Sequence, residues 1–582
     1  MTRCRIAFAL FFVILWCIET SSVPRMSANN SASAPSEEFN RLVDDYFDAH
    51  FQFHPTEATA AGLHQYDTKL EDYSRAARQA ESAKLRTLAA RLERINPAQL
   101  SGASTGDFAF LASTLQGRRL ELETLQMWRK DPNFYTSGVT ESVFLIIKRN
   151  YATPEERLRS VVARERQIPE ALMTARGNLE NPPRIYTEIT LEQMPGVIAF
   201  FREDVYKAFP GVANAALQGE FQRSNAAVVS ALEKYELFLR NDLLPRSQGD
   251  FRIGAENFRQ KLLLKEMVDT PLDQLLKIGY ADLGRNQERL QETAAEINPH
   301  ASPRQVLATL EKDHPAPDKL LETFRALLAG LRQFLEARKI ITIPSRVFPI
   351  LEETPPFMRA TTTASMDTPG PYETQATEAM FNVTLPQPDW SPQHVEEWMQ
   401  AFNRGTILST AIHEAYPGHY TQFLWVNRLT SKVRKLLYCD TNAEGWAHYT
   451  EQMMLDEGFG DGDPKLRMGQ LQDALLRDAR FIVGIEMHTG NMSLDQGREF
   501  FVREGYQLPA VADLEAKRGT TDPTYLVYTL GKLQILKLRE DYQKKLGARY
   551  TLQDFHDRFM EQGGVPLGIV RKALLGDDSP TL

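Results

Sequence analysis

Two histidines and a glutamate occur together in the segment HEAYPGH, where His413 is followed by Glu414 and, six residues on, by His419. Imidazole nitrogens are common zinc ligands, and in the HExxH arrangement two histidines four residues apart share one helical face. A separation of six residues is about 600° of helical rotation, so a regular helix would aim these two imidazoles in different directions. Only a break in the helix can bring them to one ion.

The dipeptide Pro417-Gly418 lies between the two histidines and supplies such a break. A proline inside a helix removes a backbone hydrogen bond at a cost of about 3 kcal/mol, and glycine tolerates backbone angles that other residues resist. Two interpretations follow. Either the break folds both imidazoles onto one cation, or the helix ends and leaves His419 in an unrelated loop.

A third ligand is suggested by Glu444, in the segment YCDTNAEGWAHYTEQMMLDEGFG. Asp440, Thr441 and Asn442 favour a helix start just before it. Glu444 follows His419 by 25 residues, enough for a turn and a returning helix, as in zinc sites made of two histidines and one glutamate. The alternative is a solvated glutamate that the helix dipole favours in the first turn.

Three protein ligands would leave one zinc position for water, whose pKa falls toward about 7 on the metal. Glu414, adjacent to His413, would then take the proton of this water during attack on a carbonyl and pass it to the leaving amine. An ordinary salt-bridged helix glutamate is the alternative. The pattern therefore predicts one Zn²⁺ per chain, with Glu414 as general base.

The segments HEAYPGH (413–419) and EGWAHYTE (444–451) together resemble the HExxPGH and EGWAxYxE motifs of a bacterial family, domain-of-unknown-function family 885 (DUF885). The resemblance extends over residues 37–575 and includes PTEATAAGLHQYD (55–67). It implies a helical zinc metallopeptidase of the gluzincin type. The resemblance also implies the site residues, which are the ligands His413, His419 and Glu444 and the catalytic carboxylate Glu414.

A donor for the oxyanion is expected in the segment TDPTYLVYTLGK, where Asp522 and Pro523 predict the start of a helix. Family members carry a tyrosine five residues after a proline and just before Gly-Lys. The resemblance therefore selects Tyr528 as the phenol that stabilises the oxyanion, with Tyr525 in reserve as a substrate contact. Core aromatics at helical spacing are the alternative.

Two side chains of the segment LQDALLRDARFIVGIEMHTG are candidates for contacts with substrate. Arg480 would capture a substrate carboxylate, and His488 would support the oxyanion. The family usually has Asp and Gly where this chain carries Gly484 and Glu486, which puts carboxylate support for His488 in doubt. Surface salt bridges or helix caps are the alternatives for both residues.

Two further polar residues are predicted to bind substrate. His448, one turn after Glu444, would contact either the substrate or a metal ligand from behind. Asn382 lies in the segment AMFNVTL (379–385), which alternates polar and apolar residues and would pair as a strand with an extended peptide.

Most of the chain carries apolar residues at spacings of three and four with charges between them, as in residues 69–95, 225–244 and 271–297. Only residues 340–350, which include a proline, and residues 379–385 look like strands, and both are predicted to be edge strands. We expect a predominantly α protein, a large multi-helix architecture similar to zinc metallopeptidases with a small sheet of edge strands.

Residues 37–250 are interpreted as an N-terminal helical region and residues 251–575 as the catalytic helical region with the zinc site. Because no shift in composition separates the two regions, one continuous domain is the simplest arrangement. The 582 residues carry a net charge of −9, which argues against nucleic acid as a partner.

Residues 1–22 have the layout of a signal peptide, with two arginines and then thirteen uncharged residues, too few for a stable membrane span. Residues 23–36 predict a disordered linker. We therefore expect a periplasmic or extracellular protein, with a retained N-terminal anchor as the alternative. A lipid anchor at Cys17 is disfavoured because the bulky Trp16 precedes it, and Cys439 remains as a single thiol that forms no internal disulfide.

The leading hypothesis is an exported zinc-dependent hydrolase that cleaves peptide bonds. A hydrolase of another amide or ester is possible because the same centre polarises any carbonyl. A helical binding protein with a structural metal is the third hypothesis, which a closed four-ligand site would favour. The sequence leaves the side-chain specificity, the choice between exopeptidase and endopeptidase, and the oligomeric state open.

Overall fold

The computed structural model describes residues 34–355, 358–359 and 362–582. The predicted signal peptide (1–22) lies outside the described residues, as does most of the predicted linker (23–36). Residues 34–36 of that linker already belong to the first helix.

The described chain is mainly helical, which confirms the predominantly α fold class. The helices of the first part are α1 (Ala34–Phe53), α2 (Pro55–Ala60), α3 (Arg75–Leu92), α4 (Ala103–Arg119), α5 (Met127–Lys130), α6 (Asn133–Lys148), α7 (Pro154–Glu165), α8 (Ile168–Asn178), α9 (Arg184–Ala199), α10 (Ala215–Phe238), α11 (Leu244–Arg246), α12 (Ala255–Glu266), α13 (Leu272–Ile297), α14 (Pro303–Leu310) and α15 (Leu320–Arg338). The helices of the second part are α16 (Pro392–Met399), α17 (Arg404–Glu414), α18 (His419–Val426), α19 (Lys432–Leu436), α20 (Asp440–Asp456), α21 (Pro464–Thr489), α22 (Leu494–Arg503), α23 (Pro509–Thr521), α24 (Val527–Leu546), α25 (Leu552–Met560) and α26 (Leu567–Leu575).

The three segments with the strongest helical periodicity form α3, α10 and α13. Ser74 caps α3 and Asn214 caps α10, each by accepting a hydrogen bond from a backbone N–H of the first turn. Leu275, Leu283 and Leu290 of α13 recur at helical spacing and are buried. Apolar periodicity and caps therefore account for these helices.

A small sheet is present, but its arrangement differs from the prediction. Its strands are β1 (Ile350–Glu353), β2 (Ala364–Asp367) and β3 (Met380–Val383), in the order β1-β3-β2. β3 pairs in parallel with β1 and antiparallel with β2. The expectation that residues 379–385 form an edge strand is therefore wrong, and β3 has no free edge to pair with a peptide. Of the predicted strand 340–350, only its last residue enters β1.

Two large apolar cores hold the helices. One core joins residues 39–115 to residues 320–574, so the first helices pack against the last third of the chain. The other core lies within residues 70–243. None of the described helices combines the length and apolar character that crossing a bilayer requires.

Helices α20 and α24 approach each other closely at a pair of glycines. A Cβ on Gly445 would lie 2.5 Å from the Cα of Gly531, and a Cβ on Gly531 would lie 1.9 Å from the carbonyl oxygen of Thr441. Only glycine permits this backbone contact. The contact brings the residues beside these glycines, Glu444 on α20 and Tyr528 one turn earlier on α24, toward each other.

The start of α24 differs from the sequence-based expectation. The helix begins at Val527, whereas Asp522 was predicted as its N-cap and Pro523 as its first residue. Asp522 instead ends α23 and accepts a hydrogen bond from Arg518 at 3.3 Å. The prediction was wrong because two helices meet here with a short turn between them, and the aspartate belongs to the first.

Candidate metal centre

The helix that carries His413 breaks where Pro417 and Gly418 predict it. α17 ends at Glu414 and α18 begins at His419. A Cβ on Gly418 would lie 1.8 Å from the carbonyl oxygen of His413, so the chain folds back tightly at this glycine. The ring centroids of His413 and His419 are 4.8 Å apart. Of the two interpretations, the structure supports the one in which the break brings the imidazoles together.

Glu444 lies against both histidines. Its Oε2 is 3.3 Å from Nε2 of His413 and 3.4 Å from Nε2 of His419. One ligand atom from each of the three residues falls within a group 4.8 Å across. The alternative of a solvated first-turn glutamate therefore does not describe Glu444.

Two of the three distances between the ligand atoms fit a tetrahedrally coordinated cation. Two donors at about 2.0–2.1 Å from zinc with tetrahedral angles are separated by about 3.3 Å, which matches the two distances from Oε2 of Glu444. The same Oε2 is buried and has no hydrogen-bond partner among the described residues. A buried carboxylate oxygen without a partner is costly, and a cation would satisfy it.

His413 is held from behind by Glu451. Nδ1 of His413 donates a hydrogen bond of 2.7 Å to Oε1 of Glu451, which leaves Nε2 free to bind a metal. Glu451 is fully buried and also contacts His448 and Arg477, at 3.1 and 3.3 Å. Sequence reasoning missed Glu451, although it lies seven residues after Glu444 and so on the same face of α20.

The electrostatics of the centre favour a positive charge. Burial lowers the pKa of His413, but the carboxylates of Glu444 and Glu451 outweigh it and raise the pKa to about 10. Burial also raises the pKa of Glu444, but the two histidines outweigh it and hold the pKa well below its usual value. Because imidazole binds a metal only in its neutral form, a metal ion must displace this proton.

Glu414, the predicted general base, is half-buried. The charge of its carboxylate helps to raise the pKa of the neighbouring His413. Within the described part of the chain, Glu414 makes neither a hydrogen bond nor an ion pair. The alternative of a salt-bridged helix glutamate therefore has no partner among these residues.

Of the two candidate tyrosines, Tyr528 lies next to the metal ligands. Its ring centroid is 6.3 Å from that of His413, and its hydroxyl oxygen accepts a hydrogen bond of 3.2 Å from Arg518. Burial raises its pKa to about 12, so its hydroxyl stays protonated and can donate. Tyr525 is packed against Gly484 and Gly519 of two neighbouring helices and is 1% exposed.

Arg480 and His488 both lie on α21 and are both buried. Arg480 makes two hydrogen bonds of 2.7 Å to the carboxylate of Glu515, and its guanidinium lies over the ring of Tyr528. Nε2 of His488 donates to the carbonyl oxygen of Gly519 at 2.7 Å. Both side chains already have partners, so their roles toward substrate stay predictions.

His448 and Asn382 are also buried. His448 is 0% exposed and contacts Glu451, which favours contact with the ligands from behind over contact with substrate. Asn382 lies in the central strand β3, where it accepts a hydrogen bond of 3.0 Å from Lys148 and donates one to Ser365. The sheet thus uses Asn382 in its own polar contacts.

Comparison with known proteins places the chain in a family. Residues 55–574 match the profile of a family described as bacterial proteins of unknown function, DUF885. The chain belongs to this family. No curated protein matches it significantly.

Two solved structures share this DUF885 fold. One is described as a putative lipoprotein of unknown function from Shewanella oneidensis; it is 27% identical, with a TM-score of 0.76, and the match covers 94% of this chain and 100% of that one. The other is a putative lipoprotein from Colwellia psychrerythraea, 17% identical, with a TM-score of 0.77 and coverage of 92% and 98%.

Proposed function

We propose that this DUF885 protein is an exported zinc hydrolase that cleaves peptide bonds, with His413, His419 and Glu444 as metal ligands and Glu414 as general base. The observation that carries the proposal is a group of three ligand atoms beside a glutamate that has no ion-pair partner among the described residues. This combination is typical of catalytic zinc sites of two histidines and one glutamate.

The roles of the side chains follow from their positions. A zinc ion in this site would supply Lewis acidity to a carbonyl oxygen and lower the pKa of water. Glu414 would accept a proton from the attacking water and deliver it to the leaving amine. Tyr528 would donate its hydroxyl proton to the oxyanion while its oxygen accepts a hydrogen bond from Arg518.

A purely structural metal site is less well supported. Structural zinc sites are usually closed by four protein ligands, often cysteines. In the described chain the group contains three residues, and Glu451 is hydrogen-bonded to the back of His413. The thiol of Cys439 is buried and contacts Glu266.

Two observations support export. Residues 1–22 have the layout of a signal peptide. The two similar structures are both described as putative lipoproteins, a class of exported proteins.

The proposal is tested by a peptide-library digest combined with metal analysis of the purified protein. We expect about one zinc per chain and cleavage of peptides. Glu414→Gln should keep the zinc and lose hydrolysis, whereas the matched change Glu296→Gln at an exposed position should keep both. If the protein cleaves esters or other amides but no peptides, the proposed substrate class is wrong. An active Glu414→Gln variant would show that Glu414 is not the base.

A further inference from the structure

A cavity of about 640 Å³ lies in the N-terminal half of the fold, outside the metal centre. Its wall comes mainly from helices α1 to α6 and α12, together with residues 436–438 before α20. Its volume is in the range of about 300–1,000 Å³ that is usual for sites that bind small ligands. None of the three metal ligands lines this cavity.

The cavity reaches close to the metal centre. Lys265 lines the cavity and its Nζ lies 2.5 Å from Oδ2 of Asp440. Asp440 is four residues before Glu444 on α20, a spacing that places two Cβ atoms about 5–6 Å apart on one face of a helix. Tyr438 also lines the cavity and is close enough to Asp440 and Glu444 for their charges to raise its pKa, after burial as the main cause. One turn of α20 therefore separates the cavity from the third metal ligand.

The cavity is an interior space that remains open to solvent. Tyr438 is 67% exposed, and the side chain of Glu57 is 56% exposed. A ligand could therefore enter this space from solvent.

Three glutamates of the wall have no Lys or Arg ion-pair partner among the described residues. Glu57, Glu71 and Glu141 line the cavity, and in the described part of the chain none of them has a Lys or Arg nitrogen within 4.0 Å. Glu57 lies 2.8 Å from Nε2 of His50 and 3.6 Å from Nδ1 of His54, and Glu71 accepts hydrogen bonds from Thr56.

The positive side chains of the wall are already paired. The cavity lysines, Lys261 and Lys265, pair with Glu121 and Asp440. Arg78 and Arg118 both pair with Glu81.

Glu141, which is exposed, and the buried Tyr46 have no hydrogen-bond or ion-pair partner among the described residues. Burial raises the pKa of Glu141, and the neighbouring charges of Asp367 and Glu57 raise it further, so a cation beside it would be stabilised. Tyr46 is 1% exposed, lines the same cavity, and has a hydroxyl with no hydrogen-bond partner among the described residues.

We infer that this cavity binds the amino-terminal end of a short peptide, whose ammonium group lies against Glu57 and Glu141 while the bond to be cleaved lies at the metal centre. The inference rests on the proposed hydrolase function. A sphere of the cavity's volume is about 11 Å across, and an extended chain rises about 3.3–3.6 Å per residue, so about three residues fit. The substrates are short unfolded peptides, cut near their amino ends.

The test compares one nine-residue alanine-rich peptide with a free amino end and with an acetylated amino end. We expect kcat/KM to be at least tenfold higher for the free peptide, with the first cut about three residues from its amino end. Glu57→Gln and Glu141→Gln should each bring this ratio toward one. Glu170→Gln, an exposed change far from the cavity wall in the sequence, should leave the ratio unchanged.

Three results would overturn the inference. The first is equal cleavage of the free and the acetylated peptide. The second is that the two variants slow the cleavage of both peptides by the same factor. The third is that a lysine inside the peptide directs cleavage whatever the state of the amino end. The last result would assign the cavity to a lysine side chain, which shares the ammonium chemistry.

Binding to the zinc-loaded Glu414→Gln protein separates this inference from the proposed function. We expect calorimetry to show trialanine binding at least tenfold more tightly than N-acetyl-trialanine. If this preference is found but the wild-type protein hydrolyses no peptide, the cavity assignment stands and the hydrolase proposal falls. If peptides are hydrolysed but this preference is absent, the cavity assignment falls alone.

Discussion

Replacement of Glu451 by glutamine tests whether the buried carboxylate behind His413 tunes the metal centre. In the wild type, one carboxylate accepts hydrogen bonds from His413 and His448 and pairs with Arg477. A glutamine has one acceptor oxygen and no charge, so it cannot reproduce all three contacts. Loss of such a partner behind a zinc ligand typically weakens metal binding by about 10–100-fold, or about 1.4–2.7 kcal/mol.

The assay is a competition titration of zinc against a chelator, with thermal unfolding measured on the same samples. Arg477 keeps Asp473 as a partner at 3.2 Å, so the variant is expected to fold. Glu457→Gln serves as the control because Glu457 also lies at α20 but pairs with Arg539 at a partly exposed site. A zinc affinity of Glu451→Gln within threefold of the wild type would refute the reasoning.

Two further predictions test the break and a distant buried acid. Gly418→Ala should lose zinc, because the added Cβ would lie 1.8 Å from the carbonyl oxygen of His413. The control Gly330→Ala should keep zinc, because its Cβ would have nothing within 4 Å. Equal zinc stoichiometry in the two variants would contradict the prediction. Glu165 should make stability depend on pH. Burial raises its pKa to about 7, only partly offset by hydrogen bonds from Ser224 and Asn225. The folded state then holds its proton more tightly than the unfolded state, so the free energy of unfolding falls as pH rises from about 4.5 to about 7. Glu165→Gln should remove this loss and stabilise the protein by about 2–3 kcal/mol at pH 8 but not at pH 4. Chemical denaturation at both pH values measures the free energy of unfolding of the variant and the wild type. An equal difference at both pH values would rule out the titration of Glu165.

Local signals in the sequence predict much of this fold. The apolar periodicity of α3, α10 and α13 specifies helices wherever they pack, because one face must be buried in any arrangement. The break at Pro417 is equally local, since a proline removes its backbone hydrogen bond in any context. These signals bring both His413 and His419 to the centre.

Other features depend on partners that are distant in the sequence. β3 became a central strand because β2, a segment without a strand pattern, pairs with its second edge. Asp522 carries an N-cap signal, yet the bond to Arg518 assigns it to the preceding helix. Glu451 could have been found by its seven-residue spacing from Glu444, but only the fold shows that this face of α20 meets His413.

The core that joins residues 39–115 to residues 320–574 has a consequence for biosynthesis. A chain made from its amino end completes the walls of the cavity, apart from residues 436–438, before it reaches His413. The helices that close the shared core, α24 to α26, emerge last. The three ligands are therefore synthesised before α24 to α26, and the core around them can close only after these helices have been made.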